Sequence, residues 1–281
     1  VSRELKLRIV SALVLAAVVL EVTWFGGRAF AMLWAVASML ILWEFSRIAR
    51  DSLPELPKYV SFVLLGAVIL LWLAGYQSVS TRVFLLGLAG LAAWELLTRR
   101  TIWAASGLAY AGLPFFAIVE LRGGAQESLL AVVVLFASVW GADIFAYVAG
   151  KTIGGPKLAP RISPKKTWSG FIGSLLGALG LSFAVIIFAG YTAGAGFVLL
   201  VLVLAVVSQI GDLVESRFKR RFDVKDSSNI IPGHGGVLDR IDGLIFAGIL
   251  MWLVLWVTGS GFERNFSASE VFVKSFLSSG L

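Results

Sequence analysis

The sequence predicts an all-α, polytopic integral membrane protein with about nine transmembrane helices and a cytoplasmic N-terminus. Three observations carry this. Of the 281 residues, 58% are hydrophobic and only 15% charged, where a soluble domain has roughly 45–50% and about 25%; mean hydropathy is +0.90. Apolar runs recur along the whole chain, separated by polar gaps too short to fold alone. The basic residues gather at alternate ends of those runs.

In order, runs of about 20 residues with looser ends, the length that crosses a bilayer, fall near 9–24, 29–46, 59–75, 83–98, 102–120, 129–149, 168–190, 195–215 and 241–259. The fifth carries Gly107, Gly112 and Pro114, residues that weaken helices. With the N-terminus inside, Arg3, Lys6 and Arg8 are followed by Arg47, Arg50 and Lys58, then Arg99 and Arg100. Next come Lys151, Lys157, Arg161, Lys165 and Lys166, and last Arg217, Lys219, Arg220, Arg221, Lys225 and Arg240. That side collects 19 of the 24 Lys and Arg; Arg28, Arg82, Arg122, Arg264 and Lys274 remain outside. A miscount by one span would scramble the asymmetry. The lone acids Glu21, Glu44 and Glu95 lie near span ends and are expected to reach the interface.

Composition excludes several chemistries. There is no Cys, hence no disulfide, thiolate nucleophile or Cys-based zinc site. The single His rules out a multi-His metal centre within one subunit. A net charge of +7 suits nucleic acid in principle, but bases at membrane edges point to lipid head groups and phosphate ligands instead. No cleavable signal is evident, since the first run, from Ile9, is long enough to span. We expect one membrane domain with two regions, 1–124 holding about five spans and 125–281 holding about four and nearly all the polar chemistry.

That chemistry falls in three groups. Ser208, Asp212 and Glu215 share one face of the eighth span, and a carboxylate in an apolar setting is relieved by a bound cation; the plain alternative pairs Asp212 with Arg217 or Lys219. The turn Pro232-Gly233-His234-Gly235-Gly236, followed by Asp239, Arg240 and Asp242, suits an anion approached by backbone N–H groups. One acid there serves equally as a helix cap, and a lone loop His is as often merely solvated. The third group is Asp143, deep in the sixth run, with Tyr147, Lys151, Lys157, Ser163, Pro164, Lys165, Lys166, Thr167 and Ser169. An intramembrane acid is a functional candidate by default, with a neighbouring Lys or Arg as its structural partner. Ser163–Thr167 reads as an anion-binding helix entry or as positive-inside anchoring. A GxxxxGK[ST] phosphate loop is absent.

The stretch Ser216-x-Phe218-Lys219-Arg220-x4-Lys225-Asp226-x-Ser228-x2-Ile231-Pro232-x-His234-Gly235-Gly236-Val237-x-Asp239-Arg240-Ile241-Asp242 resembles the signature of the phosphatidate cytidylyltransferases at every fixed position. Asp143-x2-Ala146-Tyr147-x2-Gly150 and Ile162-Ser163-Pro164-Lys165-Lys166-Thr167-Trp168 are also similar to that family. The likeness covers roughly the last half of the chain; the first five spans resemble the family in hydropathy. Ser169 stands where the family usually has Glu, so that residue's role is not carried over.

The resemblance implies that CTP and phosphatidate give CDP-diacylglycerol and pyrophosphate. Two anions must meet, which calls for Mg²⁺, alone or with a second cation, on acidic ligands. Asp212 and Asp239 are the expected metal ligands, with Asp143 and Asp242 orienting ligands or bases. Ser163, Lys165, Lys166, Lys219, Arg220, Lys225, Asp226, Gly235, Gly236 and Arg240 are expected around the substrates. His234 reads as a ligand contact, because the lipid phosphate is already ionised and needs no base. Expected partners are CTP, phosphatidate, membrane lipids and a second copy of the chain, with no nucleic acid. The expected setting is a bacterial inner membrane with the site facing the cytoplasm. The alternatives are an ion-coupled transporter of an anionic substrate or another membrane phosphotransferase, although the Asp-Gly-x2-Ala-Arg motif of the CDP-alcohol group is not found.

Overall fold

Among the described residues the polypeptide is mainly helical, as its apolar runs require: in hydrocarbon, backbone polar groups must be satisfied within the segment. The computed structural model describes residues 3–98, 101–123, 128–259 and 268–279. Arg99, Arg100 and Arg264, and the expected boundary at 124/125, lie outside the described residues. The helices are α1 (Arg3–Phe25), α2 (Gly27–Ile48), α3 (Glu55–Leu73), α4 (Gln77–Leu97), α5 (Trp103–Arg122), α6 (Ser128–Thr152), α7 (Trp168–Phe188), α8 (Ala195–Arg221), α9 (Leu238–Thr258) and α10 (Ala268–Phe276). Among the described residues, eight of them, α2 to α9, are long and apolar enough to cross a membrane, and α1 contributes the shorter apolar stretch Val10–Phe25. Each expected run corresponds to one of α1 to α9. The fold is an all-α polytopic membrane protein.

Helix boundaries follow local chemistry. Pro54, extended at φ −63° and ψ 146°, precedes α3, and Lys58 closes on Glu55 at 3.2 Å in its first turn. α5 runs unbroken through Pro114. Thr167 caps α7 by accepting from Gly170 N at 3.1 Å. α8 continues six residues past its expected end, because Lys219 pairs with Glu215 one turn earlier at 2.8 Å. Asp223, at φ 53°, stops the chain from continuing that helix. Two short antiparallel pairs were not expected: β1 (Lys157–Ala159) with β2 (Ser163–Thr167), and β3 (Tyr191–Ala193) with β4 (Leu277–Ser279).

The chain divides into two compact units. The first comprises Val1–Val119 and Arg221–Arg240, so the loop between α8 and α9 belongs with the N-terminal helices. The second comprises Glu120–Arg220 and Ile241–Leu281. In the second unit α6 and α7 meet backbone to backbone. A Cβ on Gly141 would stand 2.5 Å from Gly177 O, and one on Gly173 would stand 2.8 Å from Phe145 O. Small residues permit this approach, the usual device where lipid removes the hydrophobic drive for helix pairing. Ser138 and Ser182 add a hydroxyl contact of 2.9 Å across the same seam.

Candidate functional site

In the N-terminal unit, the polar loop 221–238 is held by three helices. At its start Phe222 packs edge-on against Trp103 of α5 at 5.2 Å, and Arg221 lies over the same ring at 5.6 Å. At the glycine turn, Ser11 of α1 is 2.8 Å from His234 Nδ1 and donates to Pro232 O at 3.0 Å. The third contact is Glu44 of α2. Its Oε1 accepts from Ser228 Oγ at 2.5 Å and Val237 N at 3.0 Å. Its Oε2 accepts from Ser227 Oγ at 3.1 Å and Leu238 N at 2.6 Å. Glu44 is completely buried, and four donors offset the loss of water around its carboxylate. Two of them are orphan amides at the entry to α9, which also lies at the positive end of that helix.

Asp239 binds the same loop from the other side. Its Oδ2 accepts from Ser227 N and Gly236 N, each at 3.0 Å, and shares the single proton of Ser227 Oγ, also 3.0 Å away, with Glu44 Oε2. Gly236 lies between the two carboxylates, and a Cβ there would overlap Ser227 Oγ and Glu44 Oε1. Gly233 and Gly235 take left-handed φ of 76° and 88°, which frees the turn to fold back so that Ile231 N reaches Gly235 O at 2.9 Å.

The expected anion cradle of turn amides takes a different form. His234 N and Gly235 N bind Ile231 O at 2.9 and 3.2 Å, and Gly236 N binds Asp239. These three amides are engaged within the loop itself. Lys225, Asp226 and Arg240 are exposed.

In the second unit, α8 and α9 cross at glycines. A Cβ on Gly211 would be 2.7 Å from Asp242 O, and one on Gly243 would be 3.1 Å from Ser208 O. The crossing sets Asp212 and Asp242 near each other. Asp242 feels the negative charges of Asp212 and Asp143, with Lys219 as the opposing cation. Asp212 is held at both oxygens: Ser216 Oγ donates to Oδ1 at 3.2 Å, and Lys166 Nζ lies 2.7 Å from Oδ2. Lys166 also reaches Gln209 Oε1 at 3.0 Å. The cation on Asp212 is therefore Lys166 of β2, not Arg217 or Lys219. Lys219 instead pairs with the buried Glu215.

The remaining expected residues are dispersed in role. Ser163 and Lys165 lie on β2, with Lys165 exposed. Strand β2 feeds Thr167 directly into α7, so the basic segment does precede that helix, as the second arm of a hairpin. Ser169 donates to Gly154 O and stands 3.0 Å from Thr167 Oγ1. Tyr147 and Lys151 meet at 3.2 Å on α6, one and two turns beyond Asp143. Arg220, at the end of α8, is exposed.

Two expectations need correction. Glu44 and Glu95 do not reach an interface; both are completely buried. Glu95 accepts from Ala104 N at 3.1 Å and Ala105 N at 3.0 Å, capping α5 much as Glu44 caps α9. The signal for Glu44 was present, because an acid between Trp43 and Phe45 at the end of an apolar run is costly without partners. Its partners lie more than 180 residues away, beyond any local pattern.

The donor set suits a hard cation. Asp143, Asp212 and Asp242 offer carboxylate oxygens, an ammonium already occupies Asp212, and one turn deeper the buried Ser208 Oγ has no hydrogen-bond partner. Among the described residues no three His, Cys, Asp or Glu close into a cage. Mg²⁺ needs none, since it keeps several waters and commonly takes only one or two carboxylates beside substrate phosphates.

The comparisons extend over most of the chain. Residues 6–258 match the model of the cytidylyltransferase family, which includes the first five helices. A phosphatidate cytidylyltransferase of Brucella abortus biovar 1 (strain 9-941) is 39% identical over 251 residues, 89% of this chain and 93% of that protein. Proteins of the same name are 36% identical in Haemophilus influenzae (86% of this chain, 96% of that protein) and 32% identical in Bacillus subtilis (90% and 98%).

Proposed function

The chain belongs to the cytidylyltransferase family, and we propose that it is a phosphatidate cytidylyltransferase, making CDP-diacylglycerol and pyrophosphate from CTP and phosphatidate. The observation that carries this reading is likeness along nearly the full length of relatives so named. The residues supply the chemistry independently. A phosphate oxygen of the lipid attacks the α-phosphorus of CTP, the bond from that phosphorus to the β-phosphate bridge breaks, and pyrophosphate leaves with the bridging oxygen. The attacking phosphate is already ionised, so neither a base nor a covalent intermediate is needed.

Cations have to join two anions. We assign Lys165, Lys225, Arg220 and Arg240, exposed in the structure, to phosphate contacts, with His234, whose Nδ1 meets Ser11, beside them. Lys166 joins them once it leaves Asp212. A bound Mg²⁺ would neutralise charge on the phosphates and orient in-line displacement. Asp212, supported by Asp242, is the residue we assign to hold it. In the other unit Asp239 is the loop carboxylate that its own loop orients with three hydrogen bonds, and it is the second residue assigned to cation binding. Asp143 orients the bases around it.

The 151–167 and 216–240 connections, rich in Lys and Arg, are assigned to the cytoplasmic face by the positive-inside rule. The bacterial relatives support an inner-membrane location. A homodimer is part of the same reading, checked by light scattering in detergent. The transporter reading is set aside, since the polar residues do not recur in matching halves.

The test is turnover in detergent micelles with labelled CTP, phosphatidate and Mg²⁺, beside samples lacking lipid or treated with chelator. A labelled liponucleotide that requires both lipid and metal is expected. Absence of product from folded protein that binds CTP would overturn the substrate assignment.

A further inference from the structure

The five N-terminal helices bear none of the residues assigned to chemistry, yet as far as Val119 they form one unit with the loop 221–240. Glu44 links the two within that unit. It is completely buried, and each of its oxygens takes one backbone N–H and one seryl hydroxyl from the loop. The bonds reach both ends of the segment that carries His234: Ser227 and Ser228 before the glycine turn, Val237 and Leu238 after it. One carboxylate thus closes the segment into a ring and fixes where the turn and the start of α9 stand.

We propose that Glu44 is a positioning residue for the nucleotide: it sets the loop that receives the triphosphate and so controls affinity for CTP without touching it. This rests on the functional reading above, in which the loop contacts phosphates. The geometry makes the role specific to a carboxylate. Replacing either oxygen by an amide sets an NH₂ group against a backbone N–H, donor against donor. A seryl hydroxyl can rotate to accept, but a peptide N–H cannot. Glu44→Gln therefore keeps the volume and loses the ring at one end. Glu44→Asp withdraws the carboxylate by one methylene from all four donors.

Glu95 provides the comparison. It is equally buried, lies in the same unit and caps α5 through two amides, and both of these partners belong to α5 and not to the loop. The experiment compares full-length wild type, Glu44→Gln and Glu95→Gln in detergent, by hydrogen exchange and by steady-state kinetics with each substrate varied. Glu44→Gln is expected to speed amide exchange across 227–238 at least tenfold while α3 is unchanged. It should raise KM for CTP at least tenfold and leave KM for phosphatidate within twofold. Glu95→Gln, at a similar loss of Tm, should leave KM for CTP within twofold.

An unchanged KM for CTP in Glu44→Gln, an equal rise for both substrates, or the same rise in Glu95→Gln would overturn the proposal. Should Glu44→Gln fail to fold, Ser228→Ala removes one donor and keeps the carboxylate, with the same direction and a smaller effect expected. If wild type makes no product from CTP and phosphatidate, the functional reading fails, and the exchange measurement alone decides whether Glu44 holds the loop.

Discussion

Lys166 Nζ stands 2.7 Å from Asp212 Oδ2, pairing a base on strand β2 with the most strongly implicated carboxylate of α8. An ammonium and a metal ion cannot both own that oxygen. Lys166 is thus a resident competitor for any cation that Asp212 binds, and in the proposed reaction its displacement would free a base for the phosphates. Lys166→Ala should lower turnover, because a phosphate contact is lost. It should also lower the half-saturating Mg²⁺ by up to about fivefold, the equivalent of the ~1 kcal/mol that a partly exposed pair contributes. Asp212→Asn should reduce turnover by about 10²–10³-fold with little change in Tm, the scale of removing one preorganised electrostatic group. Activity titrated against Mg²⁺ in the three proteins checks both; an unshifted Mg²⁺ midpoint in Lys166→Ala would refute the competition.

Gly236 is the tightest position of the loop. A methyl group there would overlap Ser227 Oγ and Glu44 Oε1, and neither can retreat without breaking the ring of bonds around Glu44. Gly236→Ala should cost about 1–3 kcal/mol, as overpacking does, and should remove activity. Gly66, inside α3 with nothing within 4 Å of an added Cβ, is the comparison. Gly66→Ala should be neutral or stabilising by up to about 1 kcal/mol. Thermal melts of both variants, with turnover, test the difference.

What was legible in the sequence was whatever depends on local pattern. Apolar length gave α1 to α9. The dense polar stretch around His234 marked a loop rich in buried side-chain hydrogen bonds. What was not legible depends on distant pairing. Glu44 looked like an end-of-span acid because Ser227, Ser228, Val237 and Leu238 are far away in sequence. The turn glycines looked like an anion cradle because spacing does not reveal that Ile231 O and Asp239 already take their amides. The β1–β2 arm was hidden because Ser163–Thr167 has too few residues for a period-2 pattern, and Pro164 argues against strand except at an edge.

Ser169 is tied into local structure: its hydroxyl donates to Gly154 O and meets Thr167 Oγ1, the cap of α7. Ser169→Ala should lower stability by about 0.5–1.5 kcal/mol, the net value of a typical hydrogen bond. Ser169→Glu exchanges a donor for an acceptor against Gly154 O, but sets a carboxylate in the first turn of α7, where the helix dipole favours it by about 0.3–1 kcal/mol. The two effects nearly cancel, so Tm should stay within about 2 °C of wild type and turnover within about threefold. A turnover loss beyond tenfold at unchanged Tm would show that the Ser169 hydroxyl serves the reaction itself.

The position of Asp143 depends on the seam between α6 and α7. Gly177 meets Gly141 O and the Cβ of Phe145, with no room for a side chain, and Gly141 is just two residues before Asp143. A larger residue at 177 cannot be absorbed by a rotamer change, because the obstruction is backbone; the helices must part. Asp143 would then move away from Asp242, whose charge it now opposes. Gly177→Val is therefore expected to cost about 1–3 kcal/mol and to reduce turnover. Gly180→Ala, on the same helix with nothing within 4 Å of its Cβ, should leave both unchanged. Melting in detergent reads the first effect, and turnover per folded molecule separates the second from simple unfolding. Full activity in Gly177→Val would mean that the close approach of α6 and α7 is not what sets Asp143 in place.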